Sequence, residues 1–213
     1  KCYESVCKHS NQKIILLNDQ NLADYIRLPD YIEKKKDTGQ IPIARYANLI
    51  EFALLEHYGG TWIDSTVYLT DPIPDMILNS DFFAVRNSLL LIDNPVLYPA
   101  WFLHAKKGNK TIREIRNVAF AYWLKNKHVI EYLLPNLIIT LVVKSNPEFE
   151  QEIPYMNSDY SEYLVKALAD EYSEEKWNWI KKLTGIHELT YKLDAAVNRK
   201  DSFYQHIIAE KNK

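Results

Sequence analysis

The sequence has few of the residues that define several common classes of small protein. It contains 2 cysteines in 213 residues, which excludes a disulfide framework, and their spacing matches no zinc motif. It has no run of about 18 apolar residues, so we expect no membrane span, and no signal peptide is visible. The 26 basic residues are scattered among 28 acidic ones, without the basic patch that a nucleic-acid-binding protein needs. The remaining class is a globular protein of a reducing compartment.

Glycine is also scarce, with 5 residues in the chain, and two of them, Gly59 and Gly60, are adjacent. The segment before them, 42–57, carries apolar residues at a spacing of three to four, which predicts a helix. The glycines tolerate positive φ and would end it. The β-branched and aromatic residues 61–63 then predict a buried strand. Asp64 follows this strand, where open α/β sheets bind ligands, although an Asp at a strand end is also a common turn former.

Apolar runs along the chain predict an α/β fold with a mostly parallel twisted sheet, flanking helices and a helical C-terminal part. We predict strands at 14–17, 81–85 and 98–105, and helices at 110–127, 129–144, 160–169, 174–182 and 202–209. Pro135 should either kink its helix or mark its first turn. The length suits a single domain over 1–213, with an α/β part at 1–105 and a mainly helical part at 106–213.

The stretch from Gly59 to Thr66 resembles the donor-site core of glycosyltransferases that carry an Asp-x-Asp signature after two glycines. Its form Trp-Ile-Asp-x-Thr, beginning at Trp62, is similar to the capsular polysaccharide synthesis branch, related to glycosyltransferase family 32. The resemblance extends from about Cys2 to Leu193. It implies a GT-A fold, in which residues 1–105 form the nucleotide-sugar-binding part and residues 106–213 the acceptor or closing part. It also implies a strand before the first helix that we expect to be missing from this sequence.

The resemblance also implies the functional residues. Donor binding is implied for Asn48, Glu51, Gly59, Gly60, Trp62, Asp64, Ser65 and Lys192. Catalytic roles are implied for Asp64, Asn136 and His187, and ligation of Mn²⁺ or Mg²⁺ for Asp64 and Thr66. The Asp64 carboxylate is a hard oxygen ligand of the kind these cations prefer, whereas the Thr66 hydroxyl is neutral and predicts a weak metal site. The late segment 185–192 is similar to a loop that closes over the donor phosphates.

Four positions depart from the resembled pattern. Asn48 replaces an Asp but still hydrogen-bonds hydroxyl groups. Glu51 replaces an Arg, and Glu188 replaces a Lys, so both reverse charge where a diphosphate is expected, an effect worth several kcal/mol. Asn136 replaces a His and cannot carry a proton.

The resemblance implies transfer of a sugar from a UDP-sugar to a glycan or lipid-linked acceptor in bacterial capsular or surface polysaccharide synthesis. The reaction would be retaining and metal-dependent. We expect no nucleic-acid partner and a cytoplasmic location, with peripheral association at the inner face of the membrane left open. The alternative is a catalytically degenerate glycosyltransferase-like binding domain. A hydrolase is disfavoured because no second carboxylate stands at a fixed spacing from Asp64.

Overall fold

The computed structural model describes residues 1–88 and 93–209 and shows a mixed α/β protein. The structure divides into two compact units that are each assembled from separate stretches of chain. Unit 1 comprises Lys1–Ile14, Ile63–Pro74 and the described part of Asn157–Lys213, and unit 2 comprises Ile15–Trp62 and the described part of Asp75–Met156. The predicted boundary at 105/106 falls inside unit 2.

The helices and strands follow the chain in this order. The helices are α1 (Cys2–His9), α2 (Leu22–Tyr25), α3 (Asp30–Asp37), α4 (Ile43–Tyr58), α5 (Asp75–Leu78), α6 (Lys110–Lys125), α7 (Leu134–Ser145), α8 (Pro147–Glu152), α9 (Ser158–Ala167), α10 (Glu174–Leu183) and α11 (Phe203–Ala209). The strands are β1 (Gly60–Ile63), β2 (Val67–Leu69), β3 (Phe82–Ala84), β4 (Phe102–Ala105) and β5 (Ile186–Glu188), and a 3₁₀ turn covers Ala195–Asn198. None of the helices in the described ranges is long and apolar enough to cross a membrane.

Unit 2 is built around α4, whose apolar face packs on α6 and on β4. Helix α6 also contacts α3 and α7, so that these helices enclose one apolar core. Strands β1, β4 and β3 lie side by side in that order, with β3 and β4 antiparallel. Phe52, Phe82 and Leu103 are almost fully buried in this core, and burial of side chains of this size stabilises the unit by about 1.5–3 kcal/mol each.

Unit 1 has its own core beside the antiparallel pair β2 and β5. Helix α1 packs on β2, and α9 packs against β5. The Ser5 hydroxyl of α1 accepts a hydrogen bond from the Leu69 backbone N–H at 2.9 Å, which satisfies a buried donor of β2. Trp177 and Phe203 fill the space between α10 and α11, and the exposed fraction of each is 6% or less.

The mixed α/β class is confirmed. Two strand pairs, β2 with β5 and β3 with β4, are antiparallel. The strand predicted at 14–17 is wrong: this segment forms no strand, and Ile15 and Leu16 are 42% and 56% exposed. A four-residue apolar run does not become a strand without a partner to hydrogen-bond. The helix predicted at 129–144 begins later, and Pro135 lies in the first turn of α7, where its missing N–H costs no hydrogen bond.

Candidate functional site

Asp64 directly follows β1, as the sequence predicts, and opens a tight turn into β2. The strand itself is not buried as predicted: Gly60 is exposed, and residues 61–63 are only partly buried. The Val67 backbone N–H donates to the Asp64 carbonyl oxygen at 2.9 Å. Asp64 and Thr66 are partly buried, whereas Ser65 is exposed at the tip of the turn. The turn therefore combines a carboxylate and a hydroxyl in one short segment of unit 1.

The pairing of β2 with β5 brings a distant part of the chain next to this turn. Val67 lies opposite Glu188 and Tyr68 opposite His187. The ladder continues beyond the strand, because the Leu189 N–H donates to the Thr66 carbonyl oxygen at 3.0 Å. The late segment, expected to be a loop over the donor, therefore begins with a strand that lies beside the Asp64 turn.

A glycine allows this close approach at the other end of the pair. A Cβ atom on Gly185 would lie 2.7 Å from the Cβ of Asp71, a distance that real side chains do not adopt. The Thr70 N–H donates to the Gly185 carbonyl oxygen at 3.0 Å. Gly185 therefore fixes the register that places His187 and Glu188.

The carboxyl group of Glu188, opposite Val67 in the strand pair, has a strongly shifted pKa. Burial, followed by the negative charges of Glu162 and Asp64, raises the pKa of Glu188 to about 8. Glu188 is therefore mostly protonated and uncharged at pH 7. From the sequence we expected a negative charge at this position. In the folded protein Glu188 is instead a neutral carboxylic acid, which can donate a hydrogen bond.

His187 is fully buried, and its Nε2 atom lies 3.0 Å from the Thr70 hydroxyl oxygen. Burial lowers the pKa of His187 to about 4, so the imidazole is neutral at physiological pH. In this environment His187 holds the Thr70 hydroxyl in place. Its catalytic role stays a prediction.

The predicted donor-binding residues of α4 form a local polar pair in unit 2. The Asn48 amide Nδ2 donates to Glu51 Oε2 at 3.0 Å, and Arg45 Nη1 donates to Asn48 Oδ1 at 3.4 Å. Glu51 has no exposed surface. The carboxylate is thus held against its own helix, and the amide of Asn48 is engaged by it.

The two adjacent glycines have the backbone that the sequence predicts. Gly59 and Gly60 have φ values of 73° and 104°, which residues with a side chain rarely adopt. A Cβ on Gly59 would lie 2.5 Å from the backbone nitrogen of Lys107, whereas one on Gly60 would meet nothing within 4 Å. Trp62 is partly buried and packs against the core of unit 2.

Asn136 and Lys192 lie in different settings. Asn136 is in the first turn of α7, not near the middle of a helix, and its Oδ1 accepts from the buried Ala100 N–H at 3.2 Å. Lys192 is an exposed residue of unit 1, with its Nζ 5.9 Å from the centre of the Tyr191 ring. For both Asn136 and Lys192 the functional role stays a prediction.

The carboxylate and hydroxyl of the Asp64 turn are oxygen ligands of the type that a hard divalent cation prefers. They are too few to complete its coordination shell by themselves. In the described ranges, no three His, Cys, Asp or Glu side chains are grouped so that they could hold a metal ion. Asp64 and Thr66 offer a carboxylate and a hydroxyl, and Mg²⁺ commonly takes one or two carboxylates and completes its shell with water and substrate phosphates. The turn therefore fits a cation that arrives with a phosphorylated ligand.

Two residues of this region are not predicted from the sequence. Glu162 of α9 contributes to the shifted pKa of Glu188, and Thr70 is the hydrogen-bond partner of His187. Strand alternation would place Thr70 and His187 on one face, but only after the pairing of β2 with β5 is known. No local pattern indicates that pairing.

Comparison with known families adds an independent finding. The family described as capsular polysaccharide synthesis protein matches residues 1–207, which include every candidate residue named above. A search of curated proteins finds no match. Because the family match extends over nearly the whole sequence, this chain belongs to the capsular polysaccharide synthesis protein family.

Proposed function

We propose that the chain is a glycosyltransferase of capsule biosynthesis that moves a sugar from a UDP-sugar to a glycan or lipid-linked acceptor. Family membership supports a role in capsular polysaccharide synthesis. The observation that carries the transferase proposal is the Asp64 turn, which follows β1 and lies beside the uncharged Glu188. The proposal includes a GT-A fold of the family 32 type, retention of anomeric configuration and a cytoplasmic location, with peripheral membrane association left open.

Asp64 and Thr66 would hold Mn²⁺ or Mg²⁺ together with the donor. When bound, the cation would stabilise the negative charge that develops on the diphosphate leaving group. Asp64 would hold the cation by charge, and the protonated Glu188 would add a hydrogen-bond donor without repelling phosphate. The pKa of Glu188 is about 8 in the metal-free protein, so this carboxyl group is uncharged at neutral pH before the cation binds.

The alternative, a degenerate glycosyltransferase-like binding domain, is favoured by one observation. Glu51 occupies the position of an expected donor-binding Arg, and its carboxylate is fully buried and bonded to Asn48. A donor would then lack a cation at this position. The transferase remains our proposal because the features that carry it, the Asp64 turn and Glu188, do not depend on Glu51.

The test is calorimetric titration of UDP, with and without Mn²⁺, into the protein and into Asp64→Asn. We expect binding that requires Mn²⁺ and weakens more than tenfold in the variant, which corresponds to about 1.4 kcal/mol or more. Asp71→Asn is the matched control, because Asp71 is an exposed carboxylate of the same unit. Equal UDP binding by Asp64→Asn and wild type, or no binding at all, would refute the donor site.

A positive result leads to a panel of UDP-sugars with glycan acceptors. The anomeric configuration of the product, read by NMR, then tests retention.

A further inference from the structure

Unit 1 contains a cleft that the proposed donor site does not use. It has a volume of about 200 Å³ and lies between α1, the end of β2, α10 and α11. Its lining includes Lys8, His9, Thr70, Trp177 and Lys181. Along β2, the cleft is at the end marked by Thr70, whereas Asp64 precedes the start of the strand.

The charge of the lining is strongly one-sided. Three of the residues that border the cleft are lysines, one is a histidine, and none is acidic, although the whole chain has a net charge of −2. Glu4 pairs with Lys1 at 3.4 Å and offsets its charge. Lys8 forms no ion pair with any residue that the structure describes. The cleft therefore presents a positive potential to a ligand.

The remaining lining is also ordered. Lys181 Nζ lies 5.5 Å from the centre of the Trp177 ring, and both residues border the cleft. The Thr70 hydroxyl is held by the fully buried His187 at 3.0 Å. Ammonium and hydroxyl groups fixed in this way are suited to an oxyanion, because less ordering is needed on binding.

The size of the cleft limits the ligand. Pockets for drug-sized molecules have volumes of about 300–1,000 Å³, so a cleft of about 200 Å³ suits one charged group with one sugar ring. A complete nucleotide sugar is too large for it.

We propose that this cleft is a subsite for an oxyanion, phosphate or carboxylate, carried by a sugar of the acceptor. The lysines bind the charge, Thr70 donates or accepts one hydrogen bond, and His187 acts as a positioning residue for Thr70. The assignment to a sugar of the acceptor rests on the proposed transferase function, whereas the binding of an oxyanion does not.

The experiment is an NMR titration of the backbone amides with glucuronate, glucose 6-phosphate and uncharged glucose. We expect both anionic sugars to shift amides that border the cleft, and glucose to leave them unchanged. Lys8→Gln and Lys181→Gln should each weaken binding about fivefold, in line with the loss of one charge-assisted contact. The ratio of the two anionic affinities distinguishes phosphate from carboxylate.

Lys182→Gln is the matched control. Lys182 shares the last turn of α10 with Lys181 but is exposed and does not border the cleft, so the affinity should not change. Binding of glucose as strong as that of the anionic sugars, or affinities that are equal in all variants, would overturn the proposal. Displacement of the anionic sugar by UDP with Mn²⁺ would also overturn it, because the cleft would then be part of the donor site.

The anionic-sugar titration and the UDP titration together separate failure of the subsite from failure of the proposed function. If anionic sugars bind as expected but UDP binds nowhere, the transferase proposal and the acceptor assignment both fail, and the anion subsite stands. If UDP binds through Asp64 but anionic sugars do not bind, the transferase stands and the subsite fails.

Discussion

Replacement of Glu188 by Gln should stabilise the protein, and more so as the pH rises. The folded state keeps a proton on Glu188 up to a pKa of about 8, compared with an ordinary value of 4.5. Between these two pH values the folded state binds more protons than the unfolded chain, so stability falls as the pH rises. Gln keeps the shape of the side chain but does not ionise, and this loss disappears.

The magnitude follows from the same shift. At about 1.36 kcal/mol for each pKa unit, a rise from 4.5 to about 8 corresponds to at most about 5 kcal/mol. Because Glu188 is partly accessible to water, we expect about 2–3 kcal/mol above pH 8 and almost no difference near pH 4.5.

The assay is urea unfolding of wild type and Glu188→Gln from pH 5 to pH 9, without metal ions and in the presence of a chelator. The difference in unfolding free energy should grow steadily with pH and level off above pH 8. Glu175→Gln, at an exposed position of α10, should differ from wild type by less than about 0.5 kcal/mol at every pH. A difference that does not vary between pH 5 and pH 9 would refute the reasoning, as would an NMR titration of the Glu188 carboxyl with a midpoint below 5.

Three further predictions concern stability. Gly59→Ala should lower the free energy of unfolding, measured thermally or in urea, by about 3 kcal/mol or more, and Gly60→Ala by only about 1–2 kcal/mol. The reason is that only the Cβ added at position 59 meets the backbone of Lys107. Equal losses in the two variants would contradict this. Asn136→Ala should cost about 1–3 kcal/mol by leaving a buried N–H unpaired, and Asn136→Asp, which keeps the acceptor oxygen, should lose less. The unfolding free energy of wild type should fall by about 2 kcal/mol as the pH falls from 6.5 to about 4, because the folded state resists protonation of His187 in that window. His187→Gln should abolish this pH dependence. Parallel pH profiles of the two proteins would argue against the reasoning.

The elements that the sequence predicts well depend on local signals. The apolar spacing of α4 and the adjacent Gly59 and Gly60 lie within one continuous segment, and the structure confirms both. The segment 14–17 has an equally apolar sequence but forms no strand. A strand requires a hydrogen-bonding partner elsewhere in the chain, and a short apolar run carries no information about that partner.

The candidate site shows the same limit. Asp64 is identifiable because its signal is local, whereas the position of Glu188 depends on the pairing of β2 with β5 across more than a hundred residues. The charge of Glu188 is also beyond the reach of the sequence, since residue type indicates a carboxylate but burial determines whether it is ionised.

The pairing of Asn48 with Glu51 has a consequence for the order in which these positions can change. The Asn48 amide and the Glu51 carboxylate are 3.0 Å apart, so restoring Asp at position 48 alone would place two carboxylates in contact. Restoring Arg at position 51 alone would put a cation into a site with no exposed surface. The effects of Asn48→Asp and Glu51→Arg on stability are therefore expected to be coupled. An engineered change to the pattern of the resembled transferases therefore has to treat both positions together with Arg45, whose Nη1 already donates to Asn48 Oδ1.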